Sequence, residues 1–147
     1  MKNKLLYLLA VALMVVTACS SETYHNSAET LPLEAQQYLS DYFESAVSAV
    51  KVEKNVIGNV DEYEVTLADG TEITFNAEGM AEETEAAHGM TLPDGVIPAE
   101  IKTYLAEHQK GAGVVKIERH RSGYELDLTN GLEVKFDRNG QFTGIED

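Results

Sequence analysis

The chain has one cysteine, Cys19, in 147 residues, so it cannot form an internal disulfide. With Cys19 committed elsewhere, a zinc–thiolate site and a thiol nucleophile are excluded too. Tryptophan is absent and proline occurs three times. Positive charge is scarce. Eleven lysines and arginines face 25 carboxylates, a formal charge of −14. Such a surface as a whole repels nucleic acid and anionic lipid headgroups, so no nucleic-acid partner is expected. It suits a basic partner, a divalent cation such as calcium, or solubility alone. No Gly-x-Ser-x-Gly is present, no histidines are spaced i, i+4, and no glycine loop is placed to hold phosphate. Gly111-Ala112-Gly113 follows a helix and precedes a strand, the reverse of a dinucleotide turn. Acids are too abundant for any pair to signal glycoside hydrolysis. The chain is read as a non-enzyme without a cofactor, and a peptide or glycan hydrolase is the outlying alternative.

Long apolar runs are lacking as well, with one exception. Leu5 to Val16 is apolar, follows Lys2 and Lys4, and is too short to span a membrane. It reads as a secretory signal. Val16-Thr17-Ala18-Cys19 resembles the lipobox of bacterial lipoproteins, in which the cysteine is acylated and becomes the mature N-terminus. Residues 1–18 are therefore expected to be a lipoprotein signal peptide, with Cys19 the lipidation site and membrane anchor. Ser20 stands where aspartate would imply inner-membrane retention in some bacteria, so the resemblance implies the outer membrane. Removing residues 1–18 leaves 129 residues and shifts the formal charge to −16, because Lys2 and Lys4 go with them. That length suits one domain or two small ones sharing a core. Residues 19–30 are polar, lack apolar periodicity, and are expected to be a tether.

The remainder reads as one unit written twice, over 31–87 and 88–147. Leu31-Pro32-Leu33-Glu34 matches Ile97-Pro98-Ala99-Glu100, and Val50-Lys51-Val52-Glu53 matches Val115-Lys116-Ile117-Glu118. Tyr63 to Gly70 matches Tyr124 to Gly131, and Ile73 to Gly79 matches Val134 to Gly140. Each unit opens with a helix. Leu31, Ala35, Tyr38, Leu39 and Tyr42 share a face, as do Ile97, Ile101, Tyr104, Leu105 and His108. Three or four strands follow, alternating apolar and polar. Residues opposite each other in an antiparallel pair must share a face. A three-residue loop, Ala68-Asp69-Gly70, sets Tyr63 opposite Phe75 and Val65 opposite Ile73. The loop Thr129-Asn130-Gly131 likewise sets Tyr124 opposite Phe136. A left-handed glycine is predicted at Gly70 and at Gly131. A last strand is expected near Met80–Thr84 and near Gln141–Glu146, the first of these being weakly apolar.

This pattern of Leu-Pro helix, Val-Lys-Val-Glu strand, Tyr-Glu-Val hairpin and glycine turn resembles the PepSY-like family, related in fold to the beta-lactamase inhibitory proteins. Many members are exported lipoproteins of Bacteroides-type bacteria. The resemblance implies an α+β fold of two tandem helix-plus-antiparallel-sheet repeats, with sheets forming a concave surface. It further implies binding or inhibition of an envelope protein or peptide, a peptidase among the candidates. It carries over no catalytic residue.

The wet face of the sheet is the candidate binding surface: Glu64, Thr66, Glu72, Thr74, Glu125, Asp127, Glu133 and Lys135. Glu125 faces Lys135 as an ion pair, whereas Asp127 faces Glu133 at a cost. Alternation sends Tyr63, Phe75, Tyr124 and Phe136 inward, so this face is read as lacking aromatic anchors and binding by charge. No metal ligand set is assigned. Asp137-Arg138-Asn139-Gly140 faintly suggests a calcium loop but lacks later acidic ligands. Glu82, Glu83 and Glu85 read as a solvated run. His25 and His88 fall in the tether and the linker, and His108 packs in the place of Tyr42. His120, between Arg119 and Arg121, belongs to the one basic patch, which reads as a solvated loop or as a seat for an acidic partner group. The alternative to a binding module is a cation-responsive or structural envelope lipoprotein.

Overall fold

The computed structural model describes residues 21–146. The expected signal peptide, 1–18, and Cys19 lie outside the described residues. Helix α1 (Leu33–Tyr42) and helix α2 (Ala99–His108) each begin directly after a proline. The carbonyl of Pro32 accepts from the Gln36 amide at 3.1 Å, and that of Pro98 from the Lys102 amide at 3.0 Å. Proline suits this place because its missing N–H would have no partner there. The predicted faces turn inward except at their last members: Ala35, Leu39, Ile101 and Leu105 are buried and Tyr38 and Tyr104 half-buried, whereas Tyr42 and His108 are exposed.

Among the described residues nine antiparallel strands pair in chain order as one meander: β1 (Ser21–His25), β2 (Val47–Lys54), β3 (Val60–Leu67), β4 (Glu72–Asn76), β5 (Ala81–Glu85), β6 (Val114–Arg119), β7 (Gly123–Leu128), β8 (Glu133–Asp137) and β9 (Phe142–Glu146). With two helices this is an α+β fold. Both hairpin registers agree with the expected ones, including Tyr63 opposite Phe75 and Tyr124 opposite Phe136. Gly70 and Gly131 have φ of 95° and 84°, in the left-handed region. The core forms two clusters, one of α1 with β2–β4 and one of α2 with β6–β8.

Two expectations need correction. The polar segment expected as a tether is in part a strand: Ser21–His25 forms β1 and pairs with Lys54 to Val50 of β2. It buries no side chain, so apolar periodicity could not reveal it. The weakly apolar fourth strand of the first unit, β5, is fully integrated, paired with β4 and with β6. Its one buried side chain is Thr84, whose hydroxyl lies 3.0 Å from that of Tyr38.

Candidate functional site

Cross-strand pairing lines up the outward residues in rows. One row runs Tyr24, Lys51, Glu64, Thr74, Glu83, Glu118, Glu125, Lys135, Gly144, from β1 to β9. Beside it runs Ala49, Thr66, Glu72, Glu85, Lys116, Asp127, Glu133, Glu146. A shorter row holds Glu22, Glu53, Glu62 and Asn76. All eight sheet residues picked from the sequence fall in the first two rows. The β5–β6 pairing joins the halves into one acidic face.

Three lysines sit inside this face, each ringed by carboxylates. Lys51 contacts Glu22 at 3.4 Å, Glu64 at 3.2 Å, and Glu53. Lys116 lies 3.1 Å from Glu83 and 2.5 Å from Glu118. Lys135 lies 3.0 Å from Glu133, 3.1 Å from Glu146 and 3.8 Å from the predicted partner Glu125. The hydrogen bond to Glu53 raises the Lys51 pKa most, and Glu133 does the same for Lys135. Burial pulls Lys116 down, but hydrogen bonds to Glu118 and Glu83 outweigh it and leave it raised. Negative charge remains in surplus. The Asp127 carboxyl is raised by burial and then by Glu133 opposite, and Glu62 by burial and then by Glu53 and Glu64. The Asp127–Glu133 opposition read from the register is thus present, and Lys135 on Glu133 and Lys116 near Asp127 relieve it only in part.

Two features escaped sequence reasoning, and a third enlarges the basic patch read there at Arg119, His120 and Arg121. Tyr24, 66% exposed, reaches this face on β1, so the face does carry one aromatic. Its hydroxyl donates to Glu22 at 3.1 Å, and that bond raises its pKa. Two clusters bring ligand atoms within 4.8 Å of one another: Glu53, Glu62 and Glu64, and Glu118, His120 and Glu125. The signal was i, i+2 spacing on one strand combined with register to the next, whereas a helical i, i+4 pair was sought. Third, all three arginines of the chain, Arg119, Arg121 and Arg138, line a pocket of about 370 Å³ with His120, Gly123 and Tyr124. Nε of Arg138 donates to the Arg121 carbonyl. Among the described residues no carboxylate forms a salt bridge with these guanidiniums. His120 Nε2 lies 3.3 Å from Glu118 and 3.8 Å from Glu125.

Asp137 serves a turn. Its Oδ1 accepts from the amides of Asn139 at 2.8 Å and Gln141 at 2.9 Å. Asn76 does the same for Glu78 and Met80. His108 is exposed and stacks on Tyr104, ring centroids 4.2 Å apart.

A family model described as "Putative beta-lactamase-inhibitor-like, PepSY-like" matches residues 61–144. The chain belongs to the PepSY-like family. Three solved structures resemble this PepSY-like chain, each with a TM-score of 0.77 and each covering 86% of it. A "putative periplasmic protein of unknown function" from Bacteroides vulgatus is 36% identical and covered over its full length, 100%. A second B. vulgatus protein, of the DUF2874 family, is 28% identical and 97% covered. A "putative calcium-regulated periplasmic protein" from Bacteroides thetaiotaomicron is 31% identical and 97% covered. No curated protein matches this PepSY-like chain.

Proposed function

We propose that the mature chain is a lipid-anchored binding module of the cell envelope, held through Cys19 at the outer membrane. Its open sheet face docks a basic segment of an envelope protein or peptide and modulates that partner. The observation that carries this reading is the unbroken acidic face from β1 to β9, on which three lysines leave most carboxylates unneutralised. The periplasmic descriptions of the three neighbours support the location. Tyr24 is the aromatic anchor of the face, since exposed aromatics that become buried dominate interface energies.

The test is a pull-down with residues 20–147 against detergent-solubilised envelope, read by mass spectrometry at low and at molar salt. One dominant partner that molar salt releases is expected, and Tyr24→Ala should weaken its binding about tenfold or more. An empty result at low salt, with and without calcium, would exclude tight protein binding. A partner retained at molar salt would contradict docking by charge.

A second reading, a cation-responsive protein, is favoured by Glu53, Glu62 and Glu64 and by the printed name of the B. thetaiotaomicron neighbour. Three carboxylates supply part of the six to eight oxygens that calcium takes. Calcium should then raise the melting temperature of the wild type but not of Glu62→Gln.

A further inference from the structure

β1 begins at Ser21, two residues after Cys19, and Ser21 pairs with Lys54 at the end of β2. Two residues reach at most about 7 Å. A lipid on Cys19 therefore holds one particular end of the sheet at the bilayer, the end of the β2–β3 turn.

That end differs from the rest of the surface. The β2–β3 turn presents Val56 and Ile57 side by side, 69% and 77% exposed, and neither joins either core cluster. The turn is fastened. Asn55 Oδ1 accepts from the amides of Ile57 at 3.2 Å and Asn59 at 3.1 Å, and the Asn55 carbonyl accepts from Gly58 at 2.9 Å. Antiparallel order puts the β4–β5, β6–β7 and β8–β9 turns at the same end. They bring the 44%-exposed Met80 and all three arginines. The acids there include Asp61, which accepts from Asn55 Nδ2 at 3.0 Å, Asp137, which closes its own turn, Glu78, and the helix-start residues Glu34 and Glu100, which lie beside Gly79 and Gly140. The opposite end carries Glu44 and Asp69 in its turns and no arginine. Guanidinium forks suit phosphate oxygens, and exposed apolar residues beside cations suit the headgroup–acyl boundary.

We propose that this strand end is a membrane-docking edge, seating Val56 and Ile57 in a phospholipid surface with Arg119, Arg121 and Arg138 on its headgroup phosphates. The proposal rests on the lipid anchor proposed above. No described helix is long and apolar enough to cross a membrane. The strands then stand on the bilayer, and the acidic face opens sideways to a partner.

The test exploits the single cysteine. In the acylated full chain Cys19 has no free thiol, so Ile57→Cys and, at the far end, Lys110→Cys each accept one fluorophore. Both proteins are reconstituted into phosphatidylethanolamine–phosphatidylglycerol vesicles carrying a nitroxide-labelled lipid. Quenching at position 57 is expected to exceed that at 110 by about threefold or more. Quenching at position 57 that stays unchanged when Arg119, Arg121 and Arg138 are all replaced by glutamine in acylated protein would overturn the docking edge and leave the anchor standing. A mature chain whose Cys19 itself takes the label would overturn the anchor, and the docking edge with it.

Discussion

Single residues decide how closely the backbones approach. Gly123 opens β7 with φ of 154°, and a Cβ there would lie 1.9 Å from the Phe136 carbonyl oxygen. Gly131 also has positive φ, but a Cβ there meets nothing. Gly123→Ala should therefore cost about 3 kcal/mol or more, against about 1 kcal/mol for Gly131→Ala, in urea unfolding. Gly131 was legible from hairpin register, whereas Gly123 was not, because its need comes from the backbone of β8. Thr84 is a second case. It is the polar member of an inner row that runs Val65, Ile73, Thr84, Ile117, Leu126. Burial pushes the Tyr38 phenol up to about 12, and the Thr84 hydroxyl is its partner. Thr84→Val should cost about 1 kcal/mol, because it strands the phenol. Combining it with Tyr38→Phe should cost less than the two single changes added together, and strict additivity would show that the hydrogen bond contributes nothing.

At the scale of elements, legibility followed burial. The helices, the two hairpins and their registers could be read because Tyr63, Val65, Ile73 and Phe75, and their counterparts in the second half, alternate with polar residues. β1 could not, since all five of its residues are exposed. It is an edge strand, and charged, short edges resist pairing with other chains. What holds it is its backbone ladder and Glu22 on Lys51. Little apolar burial means a low local opening energy. Hydrogen exchange should therefore show the amides of Ser21–His25 exchanging well before those of β3, β4 and β7 in unanchored protein. Protection of β1 equal to that of β3 would mean that the edge is held by more than its ladder. The candidate face divided in the same way. Its eight residues followed from alternation, but their union into one surface depended on the β5–β6 pairing, and Tyr24 depended on β1.

At the scale of the molecule, the charge surplus makes stability depend on pH in one direction. Asp127 and Glu62 are raised, chiefly by burial and then by neighbouring carboxylates. A carboxyl raised on folding binds its proton more tightly in the folded chain, so stability increases as pH falls through its folded value toward the ordinary range near about 4. The ringed lysines are also raised. Their contribution is complete below the ordinary lysine value and is lost only as pH rises through the folded one. The Tyr38 phenol, raised to about 12, likewise disfavours the folded state only in alkali, once the unfolded phenol ionises first. All three shifts agree in sign, and none opposes acidification from neutrality until the remaining carboxylates protonate. The melting temperature should therefore rise as pH falls from neutrality toward the ordinary carboxylate range, and fall above about pH 10. Glu62→Gln combined with Asp127→Asn should stabilise the chain at pH 7 by roughly 1 kcal/mol, chiefly by removing partly buried charge and then by relieving like-charge contacts, and should flatten the slope on acidification from pH 7. A melting temperature that already falls as pH leaves neutrality toward the ordinary carboxylate range would show that the lysines neutralise the face. Docking of a basic partner by surplus charge would then lose its physical basis.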